Sequence, residues 1–197
     1  MGAETRGRLV ATAGDLMQAS SFAQVGVGDV CRAAGVNKGS LYHFFDSKED
    51  LAAAVLDAHW ARMTGLMEVT VGGEGEPLDR IDAFVAAFID TLDQRRRELG
   101  TTPGCPIGSF AAEFAGSHPS LGPRTTHMLG QWVTVFERAL DEARALGHVD
   151  ADLDPAVAAR SLVGYVQGMA LMAQAMDDPG VARSMAVGVR PLLQATT

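Results

Sequence analysis

The chain has 197 residues, 47% of them hydrophobic, which excludes a disordered tail and provides apolar material for one large or two small globular domains. A net charge of −8 excludes indiscriminate nucleic-acid binding driven by bulk charge, and two cysteines, Cys31 and Cys105, are too few for a disulfide scaffold and match no zinc spacing. No apolar run approaches the roughly 20 residues of a membrane helix, and MGAETRGRLV carries no secretory pattern, so cytoplasmic residence without membrane contact is expected. Residues 1–50 hold five Lys/Arg against six Asp/Glu, leaving a net −7 on the rest; the first quarter is merely less acidic.

From Glu4 to Ser20, Leu9, Val10, Ala13, Leu16 and Met17 recur at helical spacing and predict an amphipathic first helix. Gly26 serves as the start of a second helix whose Val27 and Val30 face inward. Ala33-Ala34 allow close helix approach, and Gly35 can take the left-handed C′ conformation. Asn37 is the N-cap of a third helix, Lys38 to about Phe45, held by Leu41, Phe44 and Phe45. That helix is too short to be stable without packing. Ser47-x-x-Asp50 is close to a capping box and opens a long fourth helix to about Val71. Two short helices joined by a tight turn are a helix-turn-helix, the arrangement that offers its second helix to the DNA major groove.

Gly72-Gly73-Glu74-Gly75-Glu76-Pro77 is the clearest breaker in the chain. Helix five, Leu78 to Arg97, puts Leu78, Ile81, Phe84, Val85, Phe88, Ile89 and Leu92 on one face. Pro106 suits the first position of helix six, which places Cys105 at its N-cap. Helix seven, about Leu121 to Leu146, carries Leu129, Trp132, Val133, Phe136, Leu140 and Ala143 as a stripe. Asp154-Pro155 opens helix eight, to about Met176, and Asp178-Pro179-Gly180 leads into helix nine, ending near Leu193. The last two are apolar nearly all round and must bury more than one face. A homodimer through residues of about 154–176 and 180–193 is therefore expected. The fold class is all-α: about nine helices, with a DNA-binding domain at 1–47 and an effector-binding and dimerisation domain at 48–197, bridged by helix four.

Val25 to Leu51 resembles the DNA-binding domain of the TetR family of transcriptional regulators. The resemblance rests on Phe22, Asp29-Val30, Ala33-Ala34-Gly35-Val36, Lys38-Gly39-Ser40-Leu41-Tyr42, Phe45 and Ser47-Lys48-Glu49-Asp50-Leu51. Ser21, Gly26 and Phe44 depart from the commonest pattern, and the threonine hydroxyl often found at position 26 is missing, which removes one phosphate contact from helix two. The resemblance implies a homodimeric repressor released from a palindromic, double-stranded operator by a small-molecule effector, with no cofactor, no metal and no enzymatic activity.

Lys38, Gly39, Ser40, Tyr42, His43 and Lys48 are the candidate DNA-binding residues. They supply a cation at the entry of the presented helix, a bare backbone, hydrogen-bonding side chains, and a phosphate site at the start of helix four. The competing account makes Tyr42 a core aromatic and the lysines solvated charges. Two such modules meeting successive major-groove faces must stand roughly 34–36 Å apart, which requires the dimer.

Met63, Met67, Phe84, Phe88, Phe110, Phe114, Trp132, Phe136, Tyr165 and Met169, with His127 and Tyr165 as polar handles and Cys105 nearby, form the expected effector region. Plain core is the competing account of such a stripe. Gly104 to Glu113 is also similar to a segment of a TetR subgroup that includes electrophile sensors, which makes a thiol-based repressor acting through Cys105 the alternative. Against it, a free cysteine is most often inert packing, as expected for Cys31. An enzyme using Cys105 with His118 or His127 lacks any base-and-orienter spacing.

Overall fold

A computed structural model describes residues 2–116 and 118–194, and among these every regular element is helical. The chain divides into two compact units, Met1–Ala61 with Pro106–Thr126, and Arg62–Cys105 with His127–Thr197. The sequence reading draws its boundary at 47/48, whereas the helix that follows Cys105 groups with the N-terminal helices.

In the first unit, α1 (Gly2–Ala19) buries Leu9, Val10, Ala13 and Met17, the stripe that its spacing predicts. Helix α2 (Val27–Ala34) starts where Gly26 donates its backbone N–H to Asp29 Oδ2 at 3.1 Å. It ends on Gly35, left-handed at φ 65°, whose neighbour Val36 donates to Cys31 O at 3.0 Å. Only Ala34 of the alanine pair is buried; Ala33 faces outward.

Helix α3 (Lys38–Tyr42) is capped by Asn37, whose Oδ1 accepts the Ser40 N–H at 2.7 Å. It stops short of the expected Phe45 because the chain tightens: Phe44 N–H and Phe45 N–H both donate to Leu41 O, at 2.9 and 3.0 Å. Helix α4 (Lys48–Val69) begins at Ser47, whose Oγ accepts the Asp50 N–H at 3.0 Å. The return bond from Asp50 goes to the Asp46 N–H, at 3.3 Å. A capping box would return it to Ser47. Helix α6 (Pro106–Phe114) also belongs to this unit, burying Ile107, Phe110 and Phe114.

Helix α4 ends two residues before the expected Val71, where Gly72 N–H donates back to Met67 O at 3.0 Å. A Cβ at Gly72 would stand 2.8 Å from Glu68 O, so the close return there requires glycine. In the second unit, α5 (Pro77–Leu99) buries the whole face read from its sequence. Helix α7 (Leu121–Ala145) buries Trp132, Phe136, Leu140 and Ala143 as expected, but Leu129 and Val133 are half-buried, and Met128 and Ala139 are the buried flanking positions.

Asp154 caps α8 (Pro155–Ala175) by accepting the Ala156 and Val157 N–H groups at 2.9 and 3.2 Å. Contrary to the sequence reading, α8 is long and apolar enough by composition to cross a membrane. Its Leu162, Val166, Met169 and Ala173 are nevertheless buried within the protein, as in the core helix of a globular domain. The expected single ninth helix is broken into α9 (Pro179–Met185), a 3-10 turn at Ala186–Gly188, and α10 (Val189–Gln194). Arg183 on α9 pairs with Asp90 and Asp93, and Arg190 on α10 with Asp79 and Asp82, so two arginines staple these short helices to α5.

Candidate nucleic-acid interface and effector region

The reading helix α3 is oriented by what it buries. Leu41 and Phe45 are 0% and 2% exposed, and they anchor the face of α3 opposite Tyr42 and His43. Tyr42 is 52% exposed, which disposes of the account that makes it a core aromatic. Lys38, Gly39 and His43 are exposed beside it and Ser40 is half-buried, while the His43 ring stands edge-on to Phe44 at 4.9 Å. The exposed surface of α3 thus carries a cation, a stretch of bare backbone, a phenol and an imidazole.

Lys48 sits differently. Its ammonium lies 4.2 Å from the centre of the Phe22 ring and 3.5 Å from Ala23 O, so it is turned toward the α1–α2 turn. The same turn is held from α6. Glu113 accepts the Phe22 N–H on Oε2 at 3.0 Å and the Ala23 N–H on Oε1 at 2.8 Å, and the Phe114 ring meets Phe22 edge-on at 5.1 Å. Sequence reasoning missed Glu113. Its one signal is that it is the sole charged residue of an otherwise apolar α6, PIGSFAAEF.

The expected effector residues are distributed over the two units. Phe84, Phe88, Trp132 and Phe136 form one aromatic cluster in the second unit, with Phe84 5.8 Å from Trp132 and 5.1 Å from Phe136. Phe110 and Phe114 stack at 5.5 Å in the first unit. His127 is exposed. Tyr165 donates its hydroxyl to Met185 O at 2.7 Å, and Met63 and Met169 are buried. Cys105 is 3% exposed, and Gln167 Nε2 points at its sulfur from 3.4 Å. Met67 lines a cleft formed by residues of α4, the turn after it, α5 and α7, which includes the Arg80–Glu142 ion pair.

A capped helix-turn-helix with an exposed second helix, followed by a larger helical unit, defines a DNA-binding regulator. Residues 9–55 match the family described as bacterial regulatory proteins, tetR family, and residues 77–187 match the tetracyclin repressor-like C-terminal domain. The chain belongs to the TetR family of transcriptional regulators.

Among its relatives, the HTH-type transcriptional repressor DhaR of Mycobacterium sp. (strain GP1) is 30% identical over 146 residues, covering 74% of this chain and 70% of DhaR. NemR of Escherichia coli (strain K12), also an HTH-type transcriptional repressor, is 37% identical over 114 residues, 56% of this chain and about half of NemR, 54%. Two solved structures carry the likeness over nearly the full length. A TetR transcriptional regulator from Chloroflexus aurantiacus J-10-FL has a TM-score of 0.83 at 27% identity, covering 96% of this chain and 94% of that one. The reduced form of E. coli NemR has a TM-score of 0.77 at 26% identity, covering 98% and 100%.

Proposed function

We propose that this regulator is a homodimeric repressor that binds a palindromic operator through α3 and is released by a small-molecule effector, working in the cytoplasm. The observation that carries the DNA-reading part is the exposed face of α3, with Tyr42 52% exposed over a buried Leu41. On this reading Lys38, Gly39, Ser40, Tyr42 and His43 meet the operator. Lys48 acts chiefly by fixing the α1–α2 turn, since its ammonium already has Ala23 O and the Phe22 ring as partners.

Support for the dimer comes from α8 and the 3-10 turn. Val157, Ser161, Gly164, Leu171 and Ala175 are exposed and fall on one helical face, with Val157 50% and Leu171 62% exposed, and Val187 is 80% exposed. An apolar face with small residues at its middle suits close pairing with a second copy. Fluorescence anisotropy with inverted-repeat DNA from upstream of the coding region tests the reading. Saturable binding whose affinity falls steeply with salt is expected; its absence refutes it.

A second reading, thiol sensing through Cys105, is favoured by the Gln167 amide, which donates toward the sulfur at 3.4 Å. Relatives support it only so far as NemR is described in a reduced form. Cys105→Ser separates the two: an unchanged response to the releasing compound eliminates the thiol switch.

A further inference from the structure

Within the second unit, α4 and the turn after it face α7 across a cleft of about 340 Å³, a volume in the range that small-molecule sites occupy. Met67 and Val71 line one wall, and Val135 and Ala139, one turn apart on α7, line the other. Arg80, from the first turns of α5, closes the cleft with its side chain only 14% exposed.

Two of the three guanidinium nitrogens of Arg80 are occupied. Nη1 donates to Gly73 O at 3.2 Å and Nη2 is paired with Glu142. The third, Nε, is buried and has no acceptor. A buried donor left in that state carries its full desolvation cost, so an acceptor that enters beside Arg80 and shifts the side chains covering Nε would recover it. Glu142 already balances the charge of Arg80, so the remaining wall charges are Arg138 and Glu68, both exposed.

We propose that this cleft binds a small apolar carboxylic acid. Its carboxylate accepts from Arg80 Nε and from Arg138, two charge-assisted donors that a neutral acceptor exploits less well. Its hydrocarbon lies against Met67, Val71, Val135 and Ala139. The inference rests on the reading of a ligand-released repressor and gives the class of the ligand. It also moves the site away from the Phe84–Trp132–Phe136 cluster.

Titration calorimetry of the full chain with octanoate, with octan-1-ol as the uncharged control, tests it. Octanoate is expected to bind saturably with one site per protomer, and octan-1-ol about tenfold more weakly. Arg138→Gln, at an exposed position that leaves the fold intact, and Arg80→Lys, which keeps the charge but loses Nε, are each expected to weaken octanoate about tenfold, the loss of one charge-assisted bond. No saturable heat, equal binding of the alcohol, or undiminished binding in both variants overturns the proposal. Operator anisotropy on the same sample keeps the two readings apart. Operator binding without octanoate binding overturns this inference alone; octanoate binding by a chain that holds no inverted repeat overturns the repressor reading alone.

Discussion

The Glu113 carboxylate on α6 accepts the backbone N–H groups of Phe22 and Ala23, 91 and 90 residues earlier in the chain, at 3.0 and 2.8 Å. Phe22 and Ala23 belong to the turn that leads into α2, and Lys48 at the start of α4 holds the same turn through Ala23 O. Hydrogen bonds to a charged acceptor are worth about 1.5–3 kcal/mol each when buried, and these are part-buried and exposed, so the pair contributes about 1–2 kcal/mol. Glu113→Ala is expected to lower Tm by about 3–6 °C and to weaken operator binding while helical content stays at the wild-type level. Glu113→Gln, which keeps one carbonyl acceptor, should fall between the two. A Glu113→Ala protein with wild-type Tm and operator affinity would show that the clamp is dispensable.

Asn37 and Tyr42 separate the making of the reading helix from its use. Asn37 Oδ1 caps α3 on the Ser40 N–H, and losing such a cap costs about 1 kcal/mol. Asn37→Ala should therefore lower both Tm and operator affinity. Tyr42 is half exposed, so Tyr42→Ala should leave stability within about 0.5 kcal/mol and weaken operator binding about tenfold. Denaturant melts beside anisotropy titrations check both. An equal loss of stability in Tyr42→Ala would return that side chain to a packing role.

These cases also show what a sequence discloses. The Asn37 cap, the left-handed Gly35 and the Asp154 cap of α8 were legible because each is a bond or conformation within three residues of its origin. The buried face of α5 was legible because seven apolar residues repeat at helical spacing. Glu113 was not, since a side chain bonding to backbone 90 residues away leaves no periodic trace. The lining of an effector site was not legible for a related reason. Phe84, Trp132 and Phe136 signal a large apolar face, but whether such a face closes on itself or lines a space depends on which helices meet there. The wall of the cleft contains Val135 and Ala139, ordinary flanking positions of the α7 stripe.

Asp177 stands at φ 49°, a left-handed conformation that Asp tolerates better than most side chains, and its Oδ1 accepts the Thr102 N–H at 2.7 Å and Arg96 Nη1 at 2.9 Å. The Thr102 N–H, with Arg96 adding to it, holds the carboxyl below the usual carboxylate value. A folded-state value below the unfolded one gives stability that is present above the unfolded value, near pH 4, and lost as pH falls through the folded one. Asp177→Asn keeps the backbone preference and removes the charge. Its Tm should lie below wild type at pH 6–7, and the gap should close as pH drops below about 4. A gap that persists at low pH would assign the difference to geometry.

Gly188 lies under Tyr165, where a Cβ would overlap the phenol hydroxyl that donates to Met185 O. Gly188→Ala is expected to break the Tyr165–Met185 bond and cost about 1–3 kcal/mol, read as a fall in the denaturant midpoint. Tyr165→Phe, which loses the bond without the overlap, should cost about 1 kcal/mol. A Gly188→Ala protein as stable as wild type would mean that the 3-10 turn shifts freely.

The clamp on the α1–α2 turn has a further consequence for how the protein comes into being. The helix-turn-helix occupies the first quarter of the chain, yet the carboxylate that completes its entry turn is residue 113 of 197. A nascent chain emerging from the ribosome exposes α1 to α3 well before α6 has been made. Its reading head is therefore finished only once α6 has been made, with the added delay of closing a loop of about 90 residues. Truncated products that carry the whole motif but end before Glu113 would lack that turn's anchor, which ties possession of a finished reading head to translation past α6.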